Sequence, residues 1–340
     1  MGTIDWASAD RDDLDAVADE VMDWARYAED SPLYATLARG IAEDRALLAV
    51  VAAIRGVPPL NLLFGAVKAT LTGADALAAW YPHLTDTPRS ADAAAVAAFR
   101  DHVLARADAL VALASSRRTQ TNETGRAAVL LPWIPAGVPV HAIDLGASAG
   151  LNLCLDRFSY AYTGDAAVSL GSGAPRLECE VRGAVPVPAE LPTFASRTGI
   201  DLSPVDANDP EQAAWLEALV WPEHGARLDR LRAAIRARES VDVSMIAGDA
   251  ATAVADVVAT LPPGPLVVWH TVALYQADDA TRADVDAAVE EATRHRDVTR
   301  IAVEPVAESP DPVVRIGPRF DEAPTVAYAN AHGRWIRAVG

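Results

Sequence analysis

The chain has 340 residues, 51% of them apolar, and a formal net charge of −18. Its length suits one large domain or two smaller ones around a substantial core. The acidic balance disfavours nucleic acid and anionic membranes as partners, because both bind through clustered Lys and Arg. We therefore expect a small-molecule substrate, while the sequence leaves the oligomeric state open.

The N-terminal region is predicted to be helical. Apolar residues recur every three or four positions through residues 1–135, and no alternating strand pattern occurs before residue 138. This periodicity predicts helices, at 13–27, 33–54, 61–71 and 91–114. The paired prolines within Val57–Leu60 end the second helix, since proline cannot continue one. We expect residues 1–135 to form a lid or to select the substrate.

Short apolar segments alternate with helical ones from residue 138 onward. Five of them are predicted strands, at 138–144, 199–202, 244–249, 265–270 and 300–304, with helices between them that include 250–260 and 278–293. Continuous apolar strands between helices are typical of a parallel sheet with both faces covered. The sequence therefore predicts an α/β fold, with a Rossmann-like, mostly parallel sheet in residues 136–340.

Two segments depart from this alternation. Arg176–Arg182 alternates apolar and charged residues, which predicts a half-buried strand in a hairpin inserted at about residues 159–192. Late strands at 313–316 and 326–339 predict an antiparallel hairpin at the edge of the sheet.

Cysteine content and the N-terminal segment point to the cytoplasm. Cys154 and Cys179 lack the spacing of a metal or redox motif. The first 21 residues are acidic and lack the basic and apolar parts of a secretory signal. No apolar run approaches the ~20 residues that span a bilayer. Metal-ligand spacings are also absent, so we expect neither a membrane segment nor a metal.

The segment Gly146–Gly150 reads GASAG and has two interpretations. As G-x-S-x-G it would make Ser148 the nucleophile of a hydrolase, with Asp278 and His332 as the later members of a triad. In the α/β-hydrolase fold, the nucleophile follows a central strand, and several other strands come before that strand in the chain. Here the segment follows the first strand, so the serine hydrolase is the weaker alternative.

The second interpretation is a cofactor loop. A glycine turn after the first strand brings the backbone close to a ligand, and an acidic residue after the second strand accepts hydrogen bonds from ribose hydroxyls. The candidate cofactor contacts are Asp144, Gly146, Ser148, Gly150, Asn152, Asp201, Asp249 and Ala250. Asp249 has a competing interpretation as the N-cap of the helix that begins at Ala250.

This arrangement resembles the class I S-adenosylmethionine-dependent methyltransferases. Asp144, Gly146 and Gly150 match their first motif, and Gly199–Pro204 is similar to their second, with Asp201 as the ribose acid. The resemblance implies S-adenosylmethionine as the cofactor. The dinucleotide fingerprint G-x-G-x-x-G fits less well, because Ser148 stands where its second glycine would be.

A closer resemblance covers almost the whole chain. Seven segments in one order resemble the bacterial domain-of-unknown-function family 2332: Ser31–Tyr34, Pro58–Leu63, Gln120–Arg126, Gly146–Asn152, Asp206–Pro210, Leu219–Glu223 and His332–Trp335. This resemblance implies a Rossmann-like fold with a helical N-terminal part. It implies no reaction, so the function must be argued from the site.

Catalytic and substrate-binding candidates lie at strand ends and in one polar segment. His270 and Glu304 end the fourth and fifth strands, where a neutral imidazole or a carboxylate would remove a proton from a methyl acceptor. Candidate substrate contacts are Gln120, Asn122, Glu123, Arg126 and Tyr275. We predict methyl transfer to a small molecule. The alternative is an S-adenosylmethionine- or nucleotide-binding protein of the same fold without catalysis.

Overall fold

The computed structural model describes residues 11–120 and 122–340. They form two compact units. The sheet unit comprises residues 122–210 and 229–340, and the helical unit comprises the described residues before 122 together with 211–228. Residues 122–135, which the sequence analysis grouped with the helical region, therefore lie in the sheet unit.

Helices make up most of the helical unit. The sheet unit has helices of its own packed against its sheet. The helices of both units are α1 (Leu14–Tyr27), α2 (Pro32–Ala42), α3 (Arg45–Ala53), α4 (Pro59–Thr70), α5 (Ala93–Leu104), α6 (Ala107–Ser115), α7 (Ala127–Leu130), α8 (Pro210–Ala218), α9 (Gly225–Arg238), α10 (Ala250–Thr260) and α11 (Asp279–Thr293). Short 3₁₀ segments are Ala76–Trp80, Thr124–Arg126, Leu131–Trp133, Leu151–Arg157 and Leu274–Gln276. Within the described residues, no helix is both long enough and apolar enough to cross a membrane.

The single helix predicted over 33–54 is wrong, because two helices occupy that stretch. Asp44 separates α2 from α3, and its carboxylate accepts hydrogen bonds from the backbone N–H groups of Ala46 and Leu47. This N-cap satisfies donors at the start of α3 that would otherwise lack partners. Local capping therefore interrupts an apolar pattern that reads as continuous.

Aromatic side chains form the core of the helical unit. The rings of Tyr34 and Phe64 stack with centroids 4.1 Å apart, and Trp24 lies 5.4 Å from Trp221. Trp221 belongs to residues 211–228, so this late segment completes the core. Lys68, the only lysine in the sequence, is buried. Its ammonium donates to the backbone carbonyls of Glu217, in the last turn of α8, and of Val220, just after α8.

The sheet unit contains one sheet of eleven strands. The strands are β1 (Val140–Leu145), β2 (Ser159–Gly164), β3 (Val168–Leu170), β4 (Arg176–Arg182), β5 (Phe194–Asp201), β6 (Ser244–Ala247), β7 (Leu266–Thr271), β8 (Val298–Glu304), β9 (Val313–Ile316), β10 (Thr325–Ala329) and β11 (Trp335–Ala338). Their order across the sheet is β3-β2-β4-β11-β10-β9-β8-β7-β1-β5-β6. The predicted α/β class with a mostly parallel sheet is confirmed.

Five neighbouring strands, β6-β5-β1-β7-β8, are mutually parallel. β1 lies at their centre and is buried along its whole length. The chain adds β5 and β6 on one side of β1 and then crosses over to add β7 and β8 on the other. The carboxyl ends of β1 and β7 therefore flank a switch in strand order, which is where open α/β sheets bind ligands.

The late strands lie inside the sheet, so the predicted edge hairpin is wrong in position. β8, β9, β10 and β11 pair antiparallel in succession, and β11 then pairs parallel with β4. The inserted strands β2, β3 and β4 extend the sheet beyond β11, since an open edge there would leave backbone groups unpaired. β4 has the predicted alternating burial, but its partners β2 and β11 are both parallel to it.

Candidate functional site

The glycine loop, Gly146–Gly150, follows β1 and is unusually tight. Gly146 and Gly150 have φ angles of 73° and 67°, and Ser148 has φ 52°. A Cβ atom on Gly146 would lie 2.5 Å from the Ala273 Cβ. A glycine is therefore required at position 146, because any side chain there would collide with the turn after β7. The segment after the loop, Leu151–Arg157, is 3₁₀ rather than α-helical.

Every backbone N–H of the glycine loop already donates within the sheet unit. The pairs are Gly146 and Ala147 to the Ile200 carbonyl (2.8 and 3.2 Å), Ser148 to Asp201 Oδ2 (2.8 Å), Ala149 to Asn122 Oδ1 (3.1 Å) and Gly150 to the Ala147 carbonyl (2.8 Å). Loops that hold phosphates do so with backbone N–H groups aimed at the ligand. This loop has none to spare, so its geometry disfavours a phosphate.

Asp144 lies beside the loop in an apolar setting. Its side chain is buried, and no described residue reaches its carboxyl with full hydrogen-bond geometry, including the nearby Trp269 indole N–H. Burial raises the pKa of Asp144 to about 8, Asp201 adds to this rise, and Trp269 and Arg126 oppose it. The carboxyl is consequently protonated at neutral pH, and a cation placed beside it would favour the charged form.

Asp201 ends β5, the neighbour of β1, and holds two turns. Its Oδ2 accepts from the Ser148 N–H and its Oδ1 from the Ser203 N–H, each at 2.8 Å. Each carboxylate oxygen has a second lone pair, and the side chain is only partly buried. Asp201 therefore anchors the glycine loop and keeps acceptor capacity for a ligand.

The remaining cofactor candidates lie farther along the chain. Asp249 caps α10 and accepts from the backbone N–H groups of Ala251 and Thr252, which confirms the capping interpretation. Ala250 is the first residue of that helix. Asn152 lies in the 3₁₀ segment after the loop, and its buried Oδ1 has no hydrogen-bond partner among the described residues.

The polar segment predicted at 120–126 ties loops together. Asn122 clamps the glycine loop, because its Nδ2 also donates to Ser148 Oγ at 2.7 Å. Glu123 is buried and bonds His332 Nδ1 at 2.8 Å. Buried Arg126 donates to the carbonyls of Ala331 (2.9 Å) and Thr271 (3.0 Å). Capping alone would not need these long-range bonds. Gln120 belongs to the helical unit.

The triad required for a serine hydrolase does not assemble. The hydroxyl of Ser148 accepts from Asn122, and no histidine contacts it among the described residues. His332 bonds Glu123 instead, and Asp278 caps α11 by accepting from the Thr281 N–H. Ser148 thus has neither the general base nor the oriented acid that activate a nucleophile.

His270 and Glu304, the catalytic candidates, belong to a buried polar chain. His270 Nδ1 donates to Glu304 Oε1 at 2.7 Å, and its Nε2 accepts from the Arg300 guanidinium at 3.0 Å. Arg300 continues the chain to Asp286. Burial lowers the pKa of His270, and Arg300 lowers it further, against the opposing effect of Glu304. The ring is neutral with both nitrogens engaged, which suits a positioning residue better than a base.

A strained turn follows β7 and is held from two sides. Val272 has φ 51°, a left-handed conformation that costs a β-branched residue roughly 1–3 kcal/mol. The Glu304 carboxylate accepts from the backbone N–H groups of Ala273, Leu274 and Tyr275 at 3.0–3.3 Å. Arg126 fixes the Thr271 carbonyl just before the turn. Strain held in this way is characteristic of functional sites.

A cavity of about 270 Å³ lies at the carboxyl ends of β7 and β8. His270 and Glu304 line it, as do Tyr275 from the strained turn and Phe320. Among residues 11–120 and 122–340, no group of three or more His, Cys, Asp or Glu side chains is arranged to hold a metal ion.

Several residues of the site were missed by the sequence analysis. Asp286 and Arg300 each place a charge among apolar neighbours of a helix or strand, which was a readable signal of a buried pair. Val272 and Ala273 carry no such signal, because an apolar residue gives no hint of a left-handed φ. Trp269 looked like an ordinary core residue of β7.

A family model described as an uncharacterized protein conserved in bacteria (DUF2332) matches residues 18–338. The match includes residues of both units. No curated protein and no solved structure matches the chain.

Proposed function

We propose a function for this chain, which belongs to the bacterial DUF2332 family: it binds S-adenosylmethionine and transfers the methyl group to a small molecule. The cofactor would lie at the carboxyl ends of β1 and β5, and the acceptor in the cavity at β7 and β8. The strand order β6-β5-β1-β7-β8 supports a Rossmann-like assignment for the sheet unit, since it places the switch point between these two places.

One observation carries the proposal: two acids stand beside a glycine loop whose N–H groups are all engaged. Asp144 and Asp201 end adjacent parallel strands, and they are close enough for Asp201 to raise the pKa of Asp144. The site therefore offers hydrogen-bond acceptors, and a cation that ionises Asp144 would meet a second carboxylate beside Asp201. Ribose hydroxyls, an ammonium and a sulfonium are donors or cations, whereas a pyrophosphate needs the N–H donors that this loop lacks.

The residues present fit S-adenosylmethionine in distinct roles. Asp201 would accept hydrogen bonds from the ribose hydroxyls, and Asp144 would face positive charge. The cofactor supplies an electrophilic methyl group when bound. Asn122 and Arg126 would keep the two loops in place, and positioning of this kind accounts for much of the rate of a group transfer.

Calorimetric titration with S-adenosylmethionine, S-adenosylhomocysteine and ADP tests the proposal. We expect the first two to bind and ADP to bind far more weakly. Asp201→Asn should weaken S-adenosylmethionine at least about tenfold, because it replaces charge-assisted hydrogen bonds. Asp256→Asn, at an exposed position of α10 outside the candidate cofactor contacts, is the matched control and should bind normally. Tighter binding of ADP than of S-adenosylmethionine would refute the proposal.

A binding protein without catalysis is a second candidate, favoured by the state of His270. Its Nε2 is engaged by Arg300 and its side chain is fully buried. Isotope-labelled S-adenosylmethionine, incubated with the protein and a bacterial small-molecule extract, separates the two candidates. Transfer of label to any extract component supports the methyltransferase, and tight binding without transfer supports the binding protein.

A further inference from the structure

The cavity at β7 and β8 has a one-sided set of polar groups. Its cations are already committed: Arg300 bonds Asp286, His270 and the Pro318 carbonyl, and Arg282 bonds Asp279 and the Ala277 carbonyl. The lining holds four carboxylates, Asp286, Glu304, Glu308 and Asp321, against these two guanidiniums, so its balance of charge disfavours an anionic ligand and favours a cationic one.

Some acceptors in the cavity lining remain uncommitted. Glu308 and the Tyr275 hydroxyl both belong to the lining, and neither has a hydrogen-bond or ion-pair partner among the described residues. Glu304, by contrast, is used by His270 and by the turn after β7. A ligand that enters the cavity therefore meets a carboxylate and a phenol oxygen with free lone pairs.

The wall that carries Tyr275 is held rigidly. The bonds from Glu304 to the backbone of residues 273–275 fix this wall although Val272 before it is left-handed. Leu274, Pro305 and Val306 are among the apolar residues of the lining. A fixed, partly apolar cavity with a few polar groups is the usual form of a small-molecule site.

We propose that this cavity binds a small organic amine in its protonated form, with the apolar part against Leu274 and Val306 and the ammonium at Glu308 and Tyr275. As the methyl acceptor, this amine rests on the proposed function above, and it would first give its proton to the Glu308 carboxylate, because only the neutral amine has a lone pair that can attack the methyl group. As a ligand of the cavity it does not rest on that function, because the site is built from residues separate from Asp144 and Asp201.

Three probes of one skeleton test the charge preference: benzylamine, benzyl alcohol and benzoate, titrated by ligand-observed NMR at pH 7 and low salt. We expect benzylamine to bind tightest and benzoate weakest. Glu308→Gln should weaken benzylamine about threefold, a modest loss because Glu308 is exposed, and should leave benzyl alcohol unchanged. The loss should shrink in 0.5 M salt, about the concentration at which such charges are strongly screened.

Asp284→Asn is the matched control, because it removes one exposed carboxylate of the same unit outside the cavity lining. It should leave benzylamine binding unchanged. Benzoate binding as tightly as benzylamine, equal losses in the two variants, or no binding of any probe at 10 mM would each overturn the amine site. Titration of S-adenosylmethionine alone is read separately. If S-adenosylmethionine does not bind while benzylamine does, only the methyltransferase proposal is refuted.

Discussion

Replacing Asp144 by asparagine should stabilise the sheet unit, and the gain should grow with pH. The pKa of this carboxyl is about 8 in the folded protein and 3.8 ordinarily. Between these values the unfolded chain has released a proton that the folded chain retains, so the wild type loses stability as pH rises. Asparagine resembles the protonated acid in shape and has no such loss.

The expected magnitude follows from the size of the shift. One pKa unit corresponds to about 1.4 kcal/mol, and the slope falls as the folded carboxyl ionises near pH 8, so the difference between variant and wild type should grow by roughly 2.3 kcal/mol from pH 6 to pH 8. Well above pH 8, Asp144 is ionised in both the folded and the unfolded wild type, so the stability difference between variant and wild type should level off. Below pH 3.8 the two proteins should differ little.

The extent of methionine oxidation by peroxide, measured at a series of urea concentrations, reports the unfolding of each unit separately. Met245 lies in β6 of the sheet unit and Met22 in α1 of the helical unit. The urea midpoint for Met245 should rise in Asp144→Asn, increasingly with pH, while that for Met22 stays constant. Ser148→Ala is the control, because it alters the same loop without an ionisable group. A difference independent of pH between 5.5 and 8.5 would refute the reasoning.

Further predictions concern packing, capping and thiol burial. Gly146→Ala should destabilise the sheet unit by about 2–4 kcal/mol through strain and contact, and Ala273→Gly added to it should restore the contact part only, as the Met245 midpoint would show. Lys68→Met should destabilise the helical unit by about 2 kcal/mol, because the carbonyl groups it satisfies at the end of α8 lose a donor. Lys68→Arg, too large for the site, should not rescue it. Burial raises the pKa of both Cys154 and Cys179 to about 12, so iodoacetamide at pH 8 should leave them unmodified until urea unfolds the protein. Rapid labelling in buffer would contradict this burial.

Element positions were predictable because they depend on local patterns. The bounds of α10 and β9 match the predicted segments, since an apolar helix after an N-cap and a short apolar strand are signals confined to a few residues. The pairing of β11 with β4 was not predictable. No periodicity within a strand specifies its neighbour, and these two strands are far apart in the sequence.

The site residues also divide into those that local sequence patterns predict and those whose contacts depend on a neighbouring strand. Asp144 and Asp201 could be placed at one edge of the sheet, because both lie at the carboxyl ends of strands that the pattern identifies. The engagement of His270 Nε2 could not be foreseen, since it depends on Arg300 in the adjacent strand β8. A strand-end histidine reads as a base in sequence, and only the neighbouring side chain shows that its lone pair is taken.

Binding of S-adenosylmethionine should release a proton from Asp144. If the positive groups of S-adenosylmethionine lie beside Asp144, binding must ionise a carboxyl whose pKa is about 8. Affinity should then rise with pH, by up to tenfold per unit between pH 6 and 8, and level off above pH 8. Calorimetry at pH 6.5 in buffers of different ionisation enthalpy should detect the released proton, and Asp144→Asn should abolish both effects. Binding with no proton release and no pH dependence would show that Asp144 does not face the cofactor's charge, and the role would then fall to Asp201 alone.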